Sequence, residues 1–192
     1  NLYVGGATIN YTFTLGTTPN VSIIWHSVTY GNGKYVAVAN NGTNTTRAMY
    51  STDGINWSLG ATPNVDISWY SVTYGNGKFV AVAGYGGTQT TRAMYSTDGI
   101  NWSLGATPDF NILWFSVTYG NGKFVAVAVG GTNTNRVMYS TDGINWSLGT
   151  TPNFNILWYS VTYGNGKYVA VAYSGTNTTR AMYSTDGINW SL

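Results

Sequence analysis

The sequence predicts an all-β chain: a β-propeller of four complete four-stranded blades, preceded by an N-terminal half-blade. Three observations carry this. SVTYGNGK occurs four times, starting at Ser27, Ser71, Ser116 and Ser160. YSTDGINWSL also occurs four times, starting at Tyr50, Tyr95, Tyr139 and Tyr183, so the repeat runs 44, 45 and 44 residues. No segment shows a 3.6-residue apolar period, which predicts almost no helix. Units of this length with four strand-like runs are the signature of propeller blades.

Each unit reads in the same order. The first strand is Trp25 to Tyr30. Gly31-Asn32-Gly33 then turns the chain, because Asn-Gly accepts the positive φ values of a tight hairpin. The second strand, Lys34 to Ala39, carries Val36 and Val38 alternating with Tyr35 and Ala37. Apolar side chains on both faces suit sheets that stack face to face. A loop rich in Asn and Thr covers Asn40 to Thr46, and a third strand covers Arg47 to Ser51. Asp53-Gly54 makes the second hairpin turn, and Ile55 to Leu59 is the fourth strand. The expected blades are residues 17–59, 60–104, 105–148 and 149–192, with residues 1–16 as the half-blade.

The S-T-D-G-I-N-W segment resembles a short form of the Asp-box, or BNR repeat, of sialidase-type propellers. YGNGKFVAVA combined with YSTDGINW also resembles repeats of bacterial and phage surface proteins. Asp53 and Gly54 are adjacent here, one residue closer than in the usual motif. The resemblance implies propeller blades held by structural turns. Physical chemistry agrees: an Asp at a hairpin corner accepts backbone N–H bonds, and the following Trp supplies a large apolar plate. Asp53, Asp98, Asp142 and Asp186, with Trp57, Trp102, Trp146 and Trp190, are therefore expected to be structural.

Composition narrows function. The 192 residues hold no Cys, so disulfides, thiolate metal sites and cysteine nucleophiles are excluded. Charged residues make up 7% and the net charge is +2, which gives no footprint for nucleic acid. No apolar run is long enough for a membrane helix, and no membrane insertion is expected. There is no Glu, and the charges recur with the repeat except at Asp66, Asp109 and His26. Catalysis needs an asymmetric set of groups, so the expectation is no enzyme, no catalytic residues, no cofactor and no metal.

Alternate loops of a meander leave opposite faces of a blade. The two hairpin turns recur unchanged on one face, and the variable loops and connectors share the other. The candidate interaction face is therefore Trp25, Trp69, Trp114 and Trp158, with His26, Tyr70, Phe115 and Tyr159. The half-blade leaves an unpaired edge, and Tyr3, Val4, Tyr11 and Phe13 form a candidate assembly strand.

The chain is accordingly expected to be an extracellular or cell-surface structural protein, with a processed N-terminus. Its expected partners are other copies of itself, assembled through blade edges and apolar connectors. The alternative is a multivalent, lectin-like propeller that binds cell-surface glycans.

Overall fold

The computed structural model describes residues 2–4, 7–9, 14–86, 90–108, 112–130, 134–174 and 178–192, with side chains from residue 14 onward. Strands β1 (Leu2–Val4) and β2 (Ala7–Ile9) pair antiparallel as a two-stranded sheet of their own. Four meander blades follow. Blade 1 is β3 (Trp25–Gly31), β4 (Lys34–Ala39), β5 (Ala48–Ser51) and β6 (Ser58–Leu59), hydrogen-bonded in that order. Blade 2 is β7 (Ile67–Gly75), β8 (Lys78–Gly86), β9 (Ala93–Ser96) and β10 (Ser103–Gly105). Blade 3 is β11 (Trp114–Gly120), β12 (Lys123–Ala128), β13 (Val137–Ser140) and β14 (Ser147–Leu148). Blade 4 is β15 (Trp158–Gly164), β16 (Lys167–Ala172) and β17 (Ala181–Ser184), with a Tyr183–Ser191 bridge in the place of its outer strand. The fold class is the one the repeat predicts.

The first hairpin of each blade has a two-residue loop closing on a Gly–Lys pair, Gly31 opposite Lys34 in blade 1. Asn32 and Gly33 sit at φ 46° and 74°, the conformation that matches the right-handed twist of the strands it joins.

Neighbouring blades are held by three apolar clusters of one design. The trailing face of blade 1 presents Val36, Val38 and Ala48 to Trp69, Val72, Phe79, Ala81 and Met94 on the leading face of blade 2. Blades 2 and 3 repeat this with Val80, Val82 and Ala93 against Trp114, Phe124 and Met138. Blades 3 and 4 repeat it with Val125, Val127 and Val137 against Trp158, Tyr168 and Met182. Polar bonds accompany the apolar contact. The Val72 amide donates to Ser27 Oγ, Val117 to Ser71 Oγ and Val161 to Ser116 Oγ, each at 3.1 Å. The connector of each blade also clasps the outer turn of the next. Ala61 N–H donates to the Ile100 carbonyl at 2.8 Å, and Trp102 N–H returns a bond to the Ala61 carbonyl at 3.0 Å.

Trp69, Trp114 and Trp158 are fully buried in these clusters. Removing an indole leaves a void that stiff flanking strands do not collapse. Trp114→Ala is expected to cost about 3–5 kcal/mol of stability, measured by urea denaturation. Tyr173→Ala, at an exposed ring, is expected to change stability by less than about 0.5 kcal/mol.

Candidate functional site

A β-bulge near the start of each blade sets the most distinctive surface feature. Trp25 pairs with Ala39 and Ser27 with Val38, so His26 is the extra residue on its strand. The same slip places Tyr70, Phe115 and Tyr159 as bulged residues in blades 2, 3 and 4. A bulge re-aims side chains. Here the Trp before it enters the blade interface and the ring after it meets its counterpart on the next blade. Ring centroids lie 4.6 Å apart for His26–Tyr70, 4.5 Å for Tyr70–Phe115 and 5.3 Å for Phe115–Tyr159. Tyr85 and Tyr173 extend this aromatic arc, each 6.0 Å from its neighbour, Tyr70 and Tyr159 respectively. His26 Nδ1 lies 3.2 Å from the Tyr70 carbonyl, and burial pushes the Tyr70 hydroxyl above the usual tyrosine range.

The arc separates two sets that the sequence had joined. His26, Tyr70, Phe115 and Tyr159 do form one surface. Trp69, Trp114 and Trp158 do not: they are core residues, and Trp25 is half-buried on the leading face of blade 1. Their connectors are apolar because the bulge turns the indole inward. Tyr85, near the end of β8, and Tyr173, just after β16, lie in the variable stretch that follows the second strand, outside the exact repeat that the sequence displays. Tyr11 and Phe13 lie outside the described residues; Tyr3 and Val4 lie on β1.

The S-T-D-G turn is built alike in all four blades. Ser51 Oγ donates to Asp53 Oδ1 at 2.8 Å and accepts the Gly54 amide at 2.9 Å. Asp53 Oδ1 also accepts the Ile55 and Asn56 amides at 2.8 and 2.7 Å, while the Asn56 side chain donates to Oδ2 at 2.8 Å. These bonds, led by the Asn56 amide, hold the Asp53 carboxyl well below the usual carboxylate range. At Asp98, Asp142 and Asp186 burial pushes upward, and the same set of hydrogen bonds outweighs it. Trp102, Trp146 and Trp190, which follow three of these turns, are buried, and Trp57 is half-buried.

The repeated arginines are structural as well. Arg47, Arg92 and Arg136 are buried, and each donates to a carbonyl in the connector of the next blade, at Ile67, Ile112 and Ile156. Arg47 also pairs with Asp66 at 2.8 Å, so that carboxylate is engaged. Asp109 lies outside the described residues. No metal-ligating cluster occurs among the described residues.

The two ends of the blade stack differ from its interior. Val28 on blade 1 is 60% exposed, where its equivalent Val72 is 5% exposed. Val171 on blade 4 is 49% exposed, where Val38 is fully buried. Trp25, Val28, Ala37, Met49 and Trp57 line an open apolar groove of about 350 Å³ along the blade 1 face.

No protein-family model matches the chain, and no curated protein matches it. Solved structures do. A catalytically inactive virginiamycin B lyase from Staphylococcus aureus, with quinupristin, is similar at a TM-score of 0.72 and 16% identity, over 90% of this chain and 56% of that one. YCF48 from Cyanidioschyzon merolae is similar at 0.61 and 16%, over 90% and 56%. The computationally designed Ika4 protein is similar at 0.60 and 11%, over 86% and 96%. The chain thus spans about half the length of the first of these neighbours. The likeness shows a β-propeller fold. It also corrects the expectation that the chain is no enzyme. A lyase is built on this fold, so a propeller of repeated blades gives no ground for excluding catalysis.

The turn carboxylates give stability a definite pH dependence. Their folded values lie below the ordinary 3.8, so the unfolded chain takes up protons first as pH falls. Their stabilisation is complete well above pH 3.8 and is lost progressively below it. The thermal midpoint is expected to drop between pH 6 and pH 3, and Asp142→Ala to lower it at pH 6 while flattening that drop. An unaltered pH profile in the variant would contradict this assignment.

Proposed function

We propose that this chain is a structural repeat protein that assembles with other copies of itself, outside the cell or on its surface. The observation that carries the proposal is the pair of open apolar blade faces at the two ends of the stack. An apolar sheet face rimmed by polar turns marks an interaction surface. The connectors add further exposed apolar residues, Val21, Ile24 and Phe154. A charge content of 7% puts little electrostatic repulsion between copies. The extracellular setting rests on the resemblance of the repeat to Asp-box segments of surface proteins. Light scattering on a size-exclusion column tests the reading. The mass is expected to exceed the 20.7 kDa of one chain and to rise with concentration up to saturation. A constant 20.7 kDa at every concentration contradicts it.

A second reading is favoured by the aromatic arc. Flat rings such as Tyr85, Tyr159 and Tyr173, exposed along the arc, stack on the C–H faces of sugars, and polar side chains such as Asn41 offer partners for hydroxyls. On this reading the arc is a multivalent glycan site. If it holds, an immobilised glycan panel retains the protein and Tyr159→Ala weakens retention about tenfold or more. Retention that Tyr159→Ala leaves unchanged would contradict it.

A further inference from the structure

We infer that two copies of this chain close one ring of eight blades, blade 4 of each copy seating blade 1 of the other. The inference rests on the self-assembly reading above and names its partner face and its stoichiometry.

The three internal interfaces are the template. Each joins the trailing face of one blade to the leading face of the next, with like residues at each position; Val137 replaces the Ala48 and Ala93 of the other two, and Tyr168 replaces Phe79 and Phe124. What remains open is one leading face, on blade 1, and one trailing face, on blade 4. They are the two halves of the contact that the chain already makes three times. Continuing that contact across copies introduces no new chemistry.

Glycine marks the fit most sharply. Strand β3 ends at Gly31, where an added Cβ would stand 2.0 Å from the ring of Tyr74 on blade 2. Gly75 meets Tyr119 and Gly120 meets Tyr163 in the same way, at 2.0 and 2.1 Å. These glycines are seats for the tyrosine of the following blade. Gly164 is the fourth such position, and an added Cβ there meets nothing within 4 Å. The tyrosine that belongs in the series is Tyr30, which is 58% exposed on blade 1. Seating Tyr30 of one copy over Gly164 of the other completes the pattern.

Two polar contacts follow the same rule. Ser160 on blade 4 takes the place that Ser27 holds toward Val72, so its hydroxyl is set to accept the Val28 amide of the second copy. Buried Tyr168 on blade 4 donates its hydroxyl to the Gly120 carbonyl of blade 3. Blade 1 carries a tyrosine at the matching position, Tyr35, which can donate to the Gly164 carbonyl of the second copy. Blades 2 and 3 have Phe79 and Phe124 there.

The count follows from closure. A trailing face that fits a leading face is a head-to-tail contact, which gives a ring if the rotation closes and an open fibre if it does not. Propeller rings have about four to eight blades. Blades 1 and 4 of one chain leave their outer faces uncovered, so four blades do not close here. Two copies make eight, within that range, and three make twelve, outside it.

One overlap needs resolving. Thr17 clasps blade 1 as Ala61 clasps blade 2, which places Leu15, 95% exposed, at the position that Leu192 holds at the end of blade 4. In the ring, Leu15 therefore leaves this track to Leu192 of the second copy. The N-terminal segment is then a bystander to closure rather than its agent.

Native mass spectrometry and sedimentation velocity test this with the chain and three variants. The wild type is expected as a discrete two-chain species that does not grow with further concentration. Gly164→Leu, at a position with open space in the single chain, is expected to leave a folded monomer by circular dichroism and to weaken pairing at least 30-fold. Tyr30→Ala is expected to weaken pairing comparably, as loss of an anchoring tyrosine does. Deleting residues 1–14 is expected to leave the two-chain species intact. A wild-type monomer overturns this inference together with the self-assembly reading. Open-ended growth, loss of pairing on deleting residues 1–14, or a pair indifferent to Gly164→Leu overturns the eight-blade ring and leaves self-assembly standing.

Discussion

A β-sheet that is apolar on both faces is unfinished in water until each face is covered. Everything else in this chain follows from that constraint. Each blade carries valines on its trailing face and a Trp, an aromatic and a Met on its leading face. No blade buries both faces by itself. Stacking covers the interior faces three times over and leaves one of each kind at the ends. The polar bonds between blades, from Val amide to Ser hydroxyl and from arginine to backbone carbonyl, fix the register of a contact whose driving force is apolar burial.

The turns have a separate duty. A hairpin that links two strands of a four-stranded blade needs its backbone amides satisfied at the rim, where the neighbouring blade also packs. The Asp side chain does this by taking two amides on one oxygen and the Asn side chain on the other. Ser51 locks that carboxylate from behind. The turn then holds the tryptophan that follows it at the blade interface. Four such turns account for four of the six aspartates in the chain. Arg47, Arg92 and Arg136 are spent on connector carbonyls in the same manner. The turn aspartates and these arginines thus maintain the stack.

Much of this was legible in the sequence. An exact repeat of about 44 residues gives blade number, strand order and both hairpin turns, because each is set by local chemistry within one unit. The structural role of the Asp and Trp of each turn followed from the same local logic. Two things were not legible. The bulge at His26 and its equivalents has no composition signature, so the tryptophan before it and the ring after it were read as facing the same way; the structure sends one inward and one along the surface. The exposure of Val28 and Val171, against the burial of Val72 and Val38, depends on which blade has a neighbour, which no single repeat encodes. Catalysis is not legible from the repeat either, since a lyase is built on this fold.

The account stands on the claim that the end faces are the two halves of one repeated contact. Site-resolved amide exchange measures it directly at Val28, Val72, Val117 and Val161, above and below the concentration at which copies associate. Below it, the Val28 amide is predicted to exchange much faster than the other three, whose N–H groups are held by the preceding blade. Above it, Val28 is predicted to become as protected as they are. A Val28 amide that exchanges at the same fast rate at both concentrations, while copies associate, would place the contact elsewhere and contradict the account.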